Sequence, residues 1–166
     1  MTLGNREAAM NTETTSHNGW RCSWTWSSPE SGRTEVTVEL DKNLGATWPH
    51  VAIVASARLT EDTMIRVAKP SIGPDEFTGA SGIPYRRGID EYCVGAIAEG
   101  ASRALRTDIG FEVDFTSGGV GTDTSEIVSG RAAEIATALL LAELTEPRPL
   151  KDVVAETVAS WTQKAP

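Results

Sequence analysis

Hydrophobic and polar residues alternate in several stretches of the first half of the chain. Between residues 20 and 26, three tryptophans and Cys22 occupy every second position. Because successive side chains of an extended strand point to opposite faces, this spacing predicts a half-buried strand. The same alternation predicts strands over residues 34–40 and about 50–59, and a short strand over 63–68. The tryptophan face packs on a core or, alternatively, forms an aromatic surface for a ligand or for stacked bases.

After residue 88 the spacing of apolar residues changes to three and four. Apolar side chains recur with this period from Ile89 to Leu105, with charged residues on the other side. This pattern predicts an amphipathic helix that ends near Asp108. An alternating strand follows over residues 111–115, up to a turn at Gly118-Gly119.

Two further helices are predicted in the last third of the chain. Asp123 and Glu126 are three residues apart, as in a capping box, and they precede a helical pattern over residues 127–146. Asp123, Thr124, Ser125 and Glu126 could instead hold a cation or polarise a water molecule. Apolar residues from Leu150 to Trp161 mark a last helix, whose apolar face must pack against another surface.

The remaining segments show neither the two-residue alternation of a strand nor the three-and-four spacing of a helix. Residues 1–18 are rich in polar residues and predict a flexible leader. Residues 70–84 contain three prolines and three glycines, which predict an irregular segment. The chain therefore divides into a leader over 1–18, one domain over 19–147 and a C-terminal helix within 148–166. A length of 166 residues fits one such domain.

The order of elements predicts the fold class. Three or four strands come first, and a helix, a strand and a helix follow. This order is typical of an α+β fold, here a two-layer α/β sandwich with both helices on one face of the sheet. The other face of the sheet is expected to be exposed.

Charge and composition narrow the possible partners. The 15 Lys and Arg residues against 23 Asp and Glu residues give a formal net charge of −8. An acidic surface repels phosphate and anionic lipid at long range, so we expect neither DNA nor a membrane as partner, and RNA binding requires a local basic patch. The first 18 residues lack the apolar segment of a secretory signal, so a cytoplasmic location is expected, with Cys22 and Cys93 as reduced thiols.

His50 is the candidate reactive side chain, because imidazole titrates near neutral pH. The alternative is a structural histidine that bonds a nearby backbone group at the start of a strand. The sequence contains no nucleophile–base set and no metal-ligand spacing. It therefore favours a non-enzymatic protein without a metal or cofactor, although a small enzyme that pairs His50 with a carboxylate stays open as a hypothesis.

Several segments resemble domain IV of elongation factor G, the ribosomal translocase. Residues 45–51, GATWPHV, resemble the glycine-bearing loop and the Gly-His-Val of that domain, with His50 at the histidine. Residues 122–126, TDTSE, are similar to the Val-Asp-Ser-Ser-Glu that opens the second helix of the family. Further similar segments follow the family order at 76–77, 82–84, 96–105, 110–114 and 144–147. The resemblance spans about residues 19–147.

The resemblance implies the fold of the second domain of a small-subunit ribosomal protein, with a left-handed βαβ crossover. It also implies two loops at one tip that approach messenger and transfer RNA, by position residues 43–50 and 106–110. The candidate RNA contacts are His50, Lys42, Arg103 and Arg106. Ordinary surface charge is the alternative for the two arginines.

The sequence has no Gly-x-x-x-x-Gly-Lys-Ser/Thr loop, so GTP hydrolysis in the manner of the translocase is excluded. The first functional hypothesis is a non-enzymatic, stand-alone domain that binds the ribosome or a translation factor. The alternative is a repurposed protein-interaction or self-association module, such as a homodimer, without ribosome contact.

Overall fold

The computed structural model describes residues 12–27, 33–45 and 47–162. Within these residues the chain is α+β, as predicted, with eight strands and three helices. The strands are β1 (Thr12–His17), β2 (Trp20–Ser27), β3 (Thr34–Lys42), β4 (His50–Leu59), β5 (Met64–Val67), β6 (Ser71–Thr78), β7 (Pro84–Ile89) and β8 (Phe111–Val120). The helices are α1 (Val94–Ala104), which follows a 3₁₀ turn over Glu91–Cys93, α2 (Glu126–Leu144) and α3 (Leu150–Thr162).

All eight strands belong to one sheet. Their order is β1-β2-β3-β4-β8-β7-β6, and β5 lies beside β8. β5 and β8 run parallel, whereas the other paired strands are antiparallel. Trp24 lies opposite Val38, and Val38 lies opposite Ile53. This register places the predicted apolar positions of three adjacent strands in one row.

The core lies between this row and helix α2. Trp24, Val38 and Ile53 are buried on the sheet side, and Ile135 and Leu139 are buried on the helix side. α2 also contacts α1 and α3, so it is covered on several sides and carries apolar residues around most of its circumference. Burial of these side chains is the main favourable contribution to folding.

Helices α1 and α2 approach each other most closely at two glycines. A Cβ atom at Gly100 would overlap the carbonyl oxygen of Gly130. Two helix backbones can come this close only where a residue has no side chain. Next to this crossing, Arg103 of α1 forms an ion pair with Glu134 of α2, with Nε and Oε1 3.2 Å apart.

Helix α3 is held against the domain by an aromatic contact. The ring of Trp161 meets Trp20 of β2 edge to face, with centroids 5.7 Å apart. The guanidinium of Arg131 lies over both indoles, and the Trp161 indole N–H donates to Glu134 at 3.0 Å. The apolar face of the last helix therefore packs on its own domain.

The prediction of a flexible leader over residues 1–18 was wrong for residues 12–17. Thr12–His17 form the edge strand β1, which pairs with β2 along its whole length. Asn18 and Gly19, both with positive φ, make the two-residue turn of this hairpin. β1 showed no alternation because its side chains are mostly exposed, and its stability comes from backbone pairing. Residues 1–11 of the predicted leader lie outside the described residues.

The prediction of an irregular segment over 70–84 was also wrong. Its residues form β6 and the start of β7, a hairpin at the other edge of the sheet. The register shifts between Ile72 and Glu76, so Pro74 sits in a bulge of an edge strand, one of the few places in a sheet that accept proline. Gly82, with a φ of 85°, lies in the turn.

Two other boundaries differ from the prediction. α1 starts at Val94, five residues later than Ile89, because residues 84–89 continue the sheet as β7. β8 runs through Gly118-Gly119 without turning. A Cβ atom at Gly119 would lie 2.7 Å from the Phe77 and Tyr85 side chains, so this glycine lets the β6–β7 hairpin pack closely across the strand.

The start of α2 is capped differently from the prediction. Ser125 is the N-cap residue, and its hydroxyl accepts the Val128 N–H at 3.3 Å. Asp123 accepts the backbone N–H of Trp48 instead.

The Glu112 carboxylate on the sheet forms ion pairs with three arginines. Glu112 Oε1 lies 2.7 Å from Arg33 Nη1, 3.1 Å from Arg58 Nε and 2.8 Å from Arg66 Nη2. The hydrogen bond from Arg33 has the largest effect, and the three cations together lower the pKa of Glu112 below its ordinary value of 4.5. This cluster joins β4, β5 and β8 to the residue before β3.

We expect this cluster to make the fold sensitive to acid. Because the pKa of Glu112 is lower in the folded than in the unfolded chain, its ionised form stabilises the fold above about pH 4.5. This contribution is lost as the pH falls through the lowered pKa. Glu112→Gln should therefore reduce stability at pH 7 much more than at pH 3, as measured by urea unfolding at both pH values.

Glu35→Gln is the matched control for this experiment, because Glu35 accepts a hydrogen bond from Ser27 and forms no ion pair with a described residue. Its effect on stability should be small. An equal loss of stability at pH 7 and pH 3 in Glu112→Gln would contradict the prediction.

Candidate functional site

The candidate site lies where β3 ends and β4 begins. Asp41 of β3 is opposite His50 of β4, and the described residues 43–45 and 47–49 belong to the connecting loop. The loop is closed by backbone hydrogen bonds, from Lys42 N–H to Pro49 O at 3.0 Å and from Leu44 N–H to Thr47 O at 2.9 Å. Such internal bonds fix the direction in which the loop presents its side chains.

His50 is nine-tenths buried and is fixed by its neighbours. Its Nδ1 lies 2.6 Å from the carbonyl oxygen of Trp48, and because a carbonyl can only accept, Nδ1 carries the proton. The imidazole thus bonds a nearby backbone group, as the structural alternative for His50 proposed. Nε2 forms no hydrogen bond with the described residues, and it packs against Gly121, where a Cβ atom would overlap it.

A second segment, residues 121–124, is not part of β4 but forms hydrogen bonds with His50 and Trp48. The Thr124 hydroxyl donates to the His50 carbonyl oxygen at 2.6 Å and accepts the Gly121 N–H at 2.8 Å. Asp123 accepts the Trp48 N–H at 2.9 Å. The loop before β4 and the segment before α2 are therefore hydrogen-bonded into one unit.

Trp48 is the exposed member of this unit. Its side chain is 41% exposed, although its indole N–H donates to Asp41 at 2.6 Å. Asp41 is in turn held by two hydrogen bonds from Arg21, at 2.9 and 3.0 Å. A large aromatic ring is thus partly exposed to solvent while the hydrogen bond of its indole N–H fixes its orientation.

A buried polar layer lies beside Trp48 and His50. Glu39 accepts the Ala80 N–H at 2.6 Å and the Ser81 hydroxyl at 3.0 Å, which ties the tip of the β6–β7 hairpin to β3. Burial, followed by the charges of Glu39 and Asp41, raises the pKa of Tyr85 well above its ordinary value. Tyr85 therefore stays neutral and contributes a packing surface to the site.

A cleft of about 600 Å³ opens beside His50. Its floor includes the rings of His50 and Tyr85, which meet edge to face with centroids 5.6 Å apart. The walls combine aliphatic and charged side chains: Ile72, Glu76, Ile83, Pro84, Arg86, Asp90, Val120, Thr122 and Thr124. The volume lies within the range of small-ligand and side-chain pockets.

Lys42 lies close to His50, at the end of β3, but its ammonium is directed over the Trp20 ring at 5.2 Å from the centroid. Arg103 and Arg106 do not lie beside His50. Arg103 pairs with Glu134, and Arg106 lies 2.9 Å from Asp108 and 3.5 Å from Glu146. The charges of both arginines are thus largely neutralised within the protein.

The predicted second tip loop does not lie beside His50. Thr124 precedes α2, whereas Glu146, which pairs with Arg106, follows the end of this 19-residue helix. A helix of that length spans about 28 Å, so the 106–110 segment is at the other end of the molecule. The segment that joins His50 is 121–124. The sequence predicts that TDTSE caps α2 or holds a cation, and the resemblance of this segment to the family was the available signal for a functional role.

Within the described residues, no hydroxyl, thiol or carboxylate is hydrogen-bonded to His50 Nε2, although Glu76 and Asp90 line the same cleft. Asp41, which is opposite His50 in the sheet, accepts hydrogen bonds from Arg21 and Trp48. Over the same ranges, no group of three His, Cys, Asp or Glu side chains is placed to hold a metal ion.

No helix in the described part of the chain combines the length and the apolar character needed to cross a membrane. No protein-family model matches this sequence, and no curated protein matches it either.

Proposed function

We propose that this chain is a non-enzymatic, stand-alone binding domain similar to domain IV of elongation factor G, which acts in the cytoplasm on the ribosome or on a translation factor. Its contact surface is the unit formed by the 43–49 loop, His50 and residues 121–124. One observation carries the proposal. The two segments that resemble the family motifs, 45–51 and 122–126, are 74 residues apart at His50 and Thr124, and they are hydrogen-bonded to each other.

The detailed fold forms part of this proposal. We propose a two-layer sandwich of the ribosomal-protein second-domain type, in which the path from β5 to β8 makes the left-handed crossover. Its support is the parallel pairing of β5 with β8, with α1 in the connection between them. Parallel strands require a crossover connection, and here this connection contains β6 and β7 as well as α1. The left-handed sense of the crossover comes from the resemblance to the family.

The test is co-sedimentation of the purified protein with ribosomes through sucrose at low and moderate salt. We expect pelleting that weakens with salt and falls about tenfold in Trp48→Ala. Trp48 is partly exposed, so its removal should leave the fold intact, which circular dichroism verifies.

Arg106→Ala is the control, because Arg106 is exposed and lies at the other end of α2. It should pellet like the unchanged protein. Absence of pelleting at low salt would overturn the proposed function, and equal losses in both variants would overturn the proposed surface.

The second candidate is a protein-interaction module without ribosome contact. The internal pairing of Arg103 and Arg106 favours it, since a phosphate must compete with their carboxylate partners. Absence of ribosome binding together with binding to a protein partner would favour this candidate.

A further inference from the structure

The two edges of the sheet differ in how they are protected against additional strands. Bulges, prolines and charged side chains are the features that keep an edge strand from pairing with another chain. At one edge, β6 has a register shift between Ile72 and Glu76, with Pro74 in the bulge. At the other edge, β1 pairs with β2 in an unbroken register, contains no proline, and has Glu13 as its only Asp, Glu, Lys or Arg residue. The β1 edge therefore lacks the protection that β6 has.

β1 presents unpaired backbone groups at its outer side. In a two-residue hairpin, the residues that flank the turn form a hydrogen-bonded pair, and bonded and non-bonded pairs alternate along the strands from there. His17 and Trp20 flank the turn, so every second residue counted back from His17 bonds to β2. The N–H and C=O groups of Thr12, Thr14 and Ser16 therefore point away from β2. No other strand in the described part of the chain pairs with them.

Two threonine side chains of β1 are hydrogen-bonded to β2, which leaves the outer side of the strand clear. Thr12 Oγ1 lies 2.7 Å from Thr25 Oγ1, and Thr14 Oγ1 lies 2.9 Å from Ser23 Oγ. Helix α3 also contacts β1. The strand is thus ordered before any partner arrives, so pairing with a further strand costs it little conformational entropy.

The sequence of β1 is complementary to a second copy of itself. A two-fold axis at Thr15 places Thr14 opposite Ser16 of an antiparallel copy, and both residues have backbone groups that point outward. Glu13 then lies opposite the partner's His17 on both sides of the axis, so a carboxylate faces an imidazole twice. An axis at Thr14 would instead place the two Glu13 carboxylates two positions apart, where they repel each other. Charge therefore favours the axis at Thr15.

A strand from a different protein fits this edge less well than a second copy does. Peptides that extend a sheet gain specificity from pockets that receive their alternate side chains. β1 consists of Thr, Ser, Glu and His, so it has no apolar side chain to line such a pocket. Its three threonines favour the extended conformation that pairing with an identical strand requires.

We propose that two copies of this chain associate edge to edge through β1, antiparallel and with the two-fold axis at Thr15. The two sheets then form one continuous sheet, and backbone hydrogen bonds across the axis link Thr14 of each copy with Ser16 of the other. This inference goes beyond the proposed function and does not rest on it. β1 is not part of the surface that the 43–49 loop, His50 and residues 121–124 form.

Sedimentation velocity over a series of protein concentrations tests the association. A net charge of −8 makes the copies repel each other at low ionic strength, so the series is run at about 0.15 M salt, where charges are screened beyond about 8 Å. We expect a dimer fraction that rises with concentration. Thr14→Pro removes an outward N–H without removing a bond to β2, and it should weaken dimerisation at least about tenfold.

Thr14→Ala is the matched control for this substitution. It removes the same exposed side chain but keeps the backbone N–H, so its dimerisation should stay within about twofold of that of the unchanged protein. Circular dichroism verifies that each variant is folded. If Thr14→Pro does not fold, Ser16→Pro repeats the test, because it removes the other outward N–H of the proposed pair and should weaken dimerisation to the same extent.

Cysteine cross-linking tests the register. In the double variant Glu13→Cys with His17→Cys, each new thiol lies opposite one of the partner, so mild oxidation should give a disulfide-linked dimer. In either single variant the two new thiols are about 13 Å apart along the strands and should not cross-link. The native Cys22 and Cys93 are buried.

Three results would overturn the inference. They are a monomer at all concentrations, equal dimerisation of the proline and alanine variants, and absence of cross-linking in the double cysteine variant. Ribosome pelleting is a separate measurement, so loss of the proposed function would leave this inference standing, and a monomeric protein would leave the proposed function standing.

Discussion

Gly100→Ala is expected to lower the free energy of unfolding by about 3 kcal/mol. The added methyl group would overlap the backbone carbonyl of Gly130, so helices α1 and α2 must move apart. A backbone atom cannot rotate away as a flexible side chain does, and α2 is itself packed against the sheet. Urea unfolding followed by circular dichroism measures the change.

Gly95→Ala in the same helix is the control for this substitution. No atom lies within 4 Å of a Cβ built at Gly95. Alanine has the higher helix propensity, so the variant should be more stable by about 0.5–1 kcal/mol. If both substitutions stabilise the protein, or both destabilise it equally, the close approach of α1 and α2 is incorrect.

Gly121→Ala is expected to cost about 2 kcal/mol and to displace the His50 ring. The new methyl group would overlap His50 Nε2. The ring cannot move without breaking its hydrogen bond to the Trp48 carbonyl oxygen. We therefore expect a change in Trp48 fluorescence, and also a loss of ribosome pelleting if the proposed function is correct.

A double-mutant cycle with His50→Ala tests the cause of this effect. Removal of the imidazole leaves space for the methyl group, so the two substitutions should together cost less than the sum of their separate costs. The expected coupling is about 1–2 kcal/mol. Additive costs would show that Gly121 acts through the backbone of its own loop and not through His50.

Local patterns were sufficient to predict much of the secondary structure. The alternation around Trp20, Cys22 and Trp24 corresponds to β2, whose buried face these residues form. The strand predicted over about 50–59 is β4, His50–Leu59. The spacing of apolar residues predicted the bounds of α2 and α3 close to the observed ones. α3 buries one face, and such one-sided burial leaves a period in the sequence. β4 and α2 are buried on most sides, and they were predicted from their many apolar residues.

The two edges of the sheet were not predictable in this way. β1 is mostly exposed, and β6 contains a bulge and a proline, so neither has a regular apolar face. Such strands depend on backbone pairing with a neighbour. Asn18-Gly19 was the local signal for the first hairpin, and its meaning was missed because the preceding residues showed no period.

The sequence by itself determined the α+β class, the main helices and the central strands, and it marked His50 as a residue of interest. Only the tertiary structure decided that His50 joins Thr124, that Trp48 is exposed but fixed, and that Arg106 lies at the far end of α2. The spacing of apolar residues indicates which positions are buried, because each buried position favours an apolar residue by itself. This spacing does not indicate which distant segment covers a buried residue, because that contact depends on how the whole chain packs.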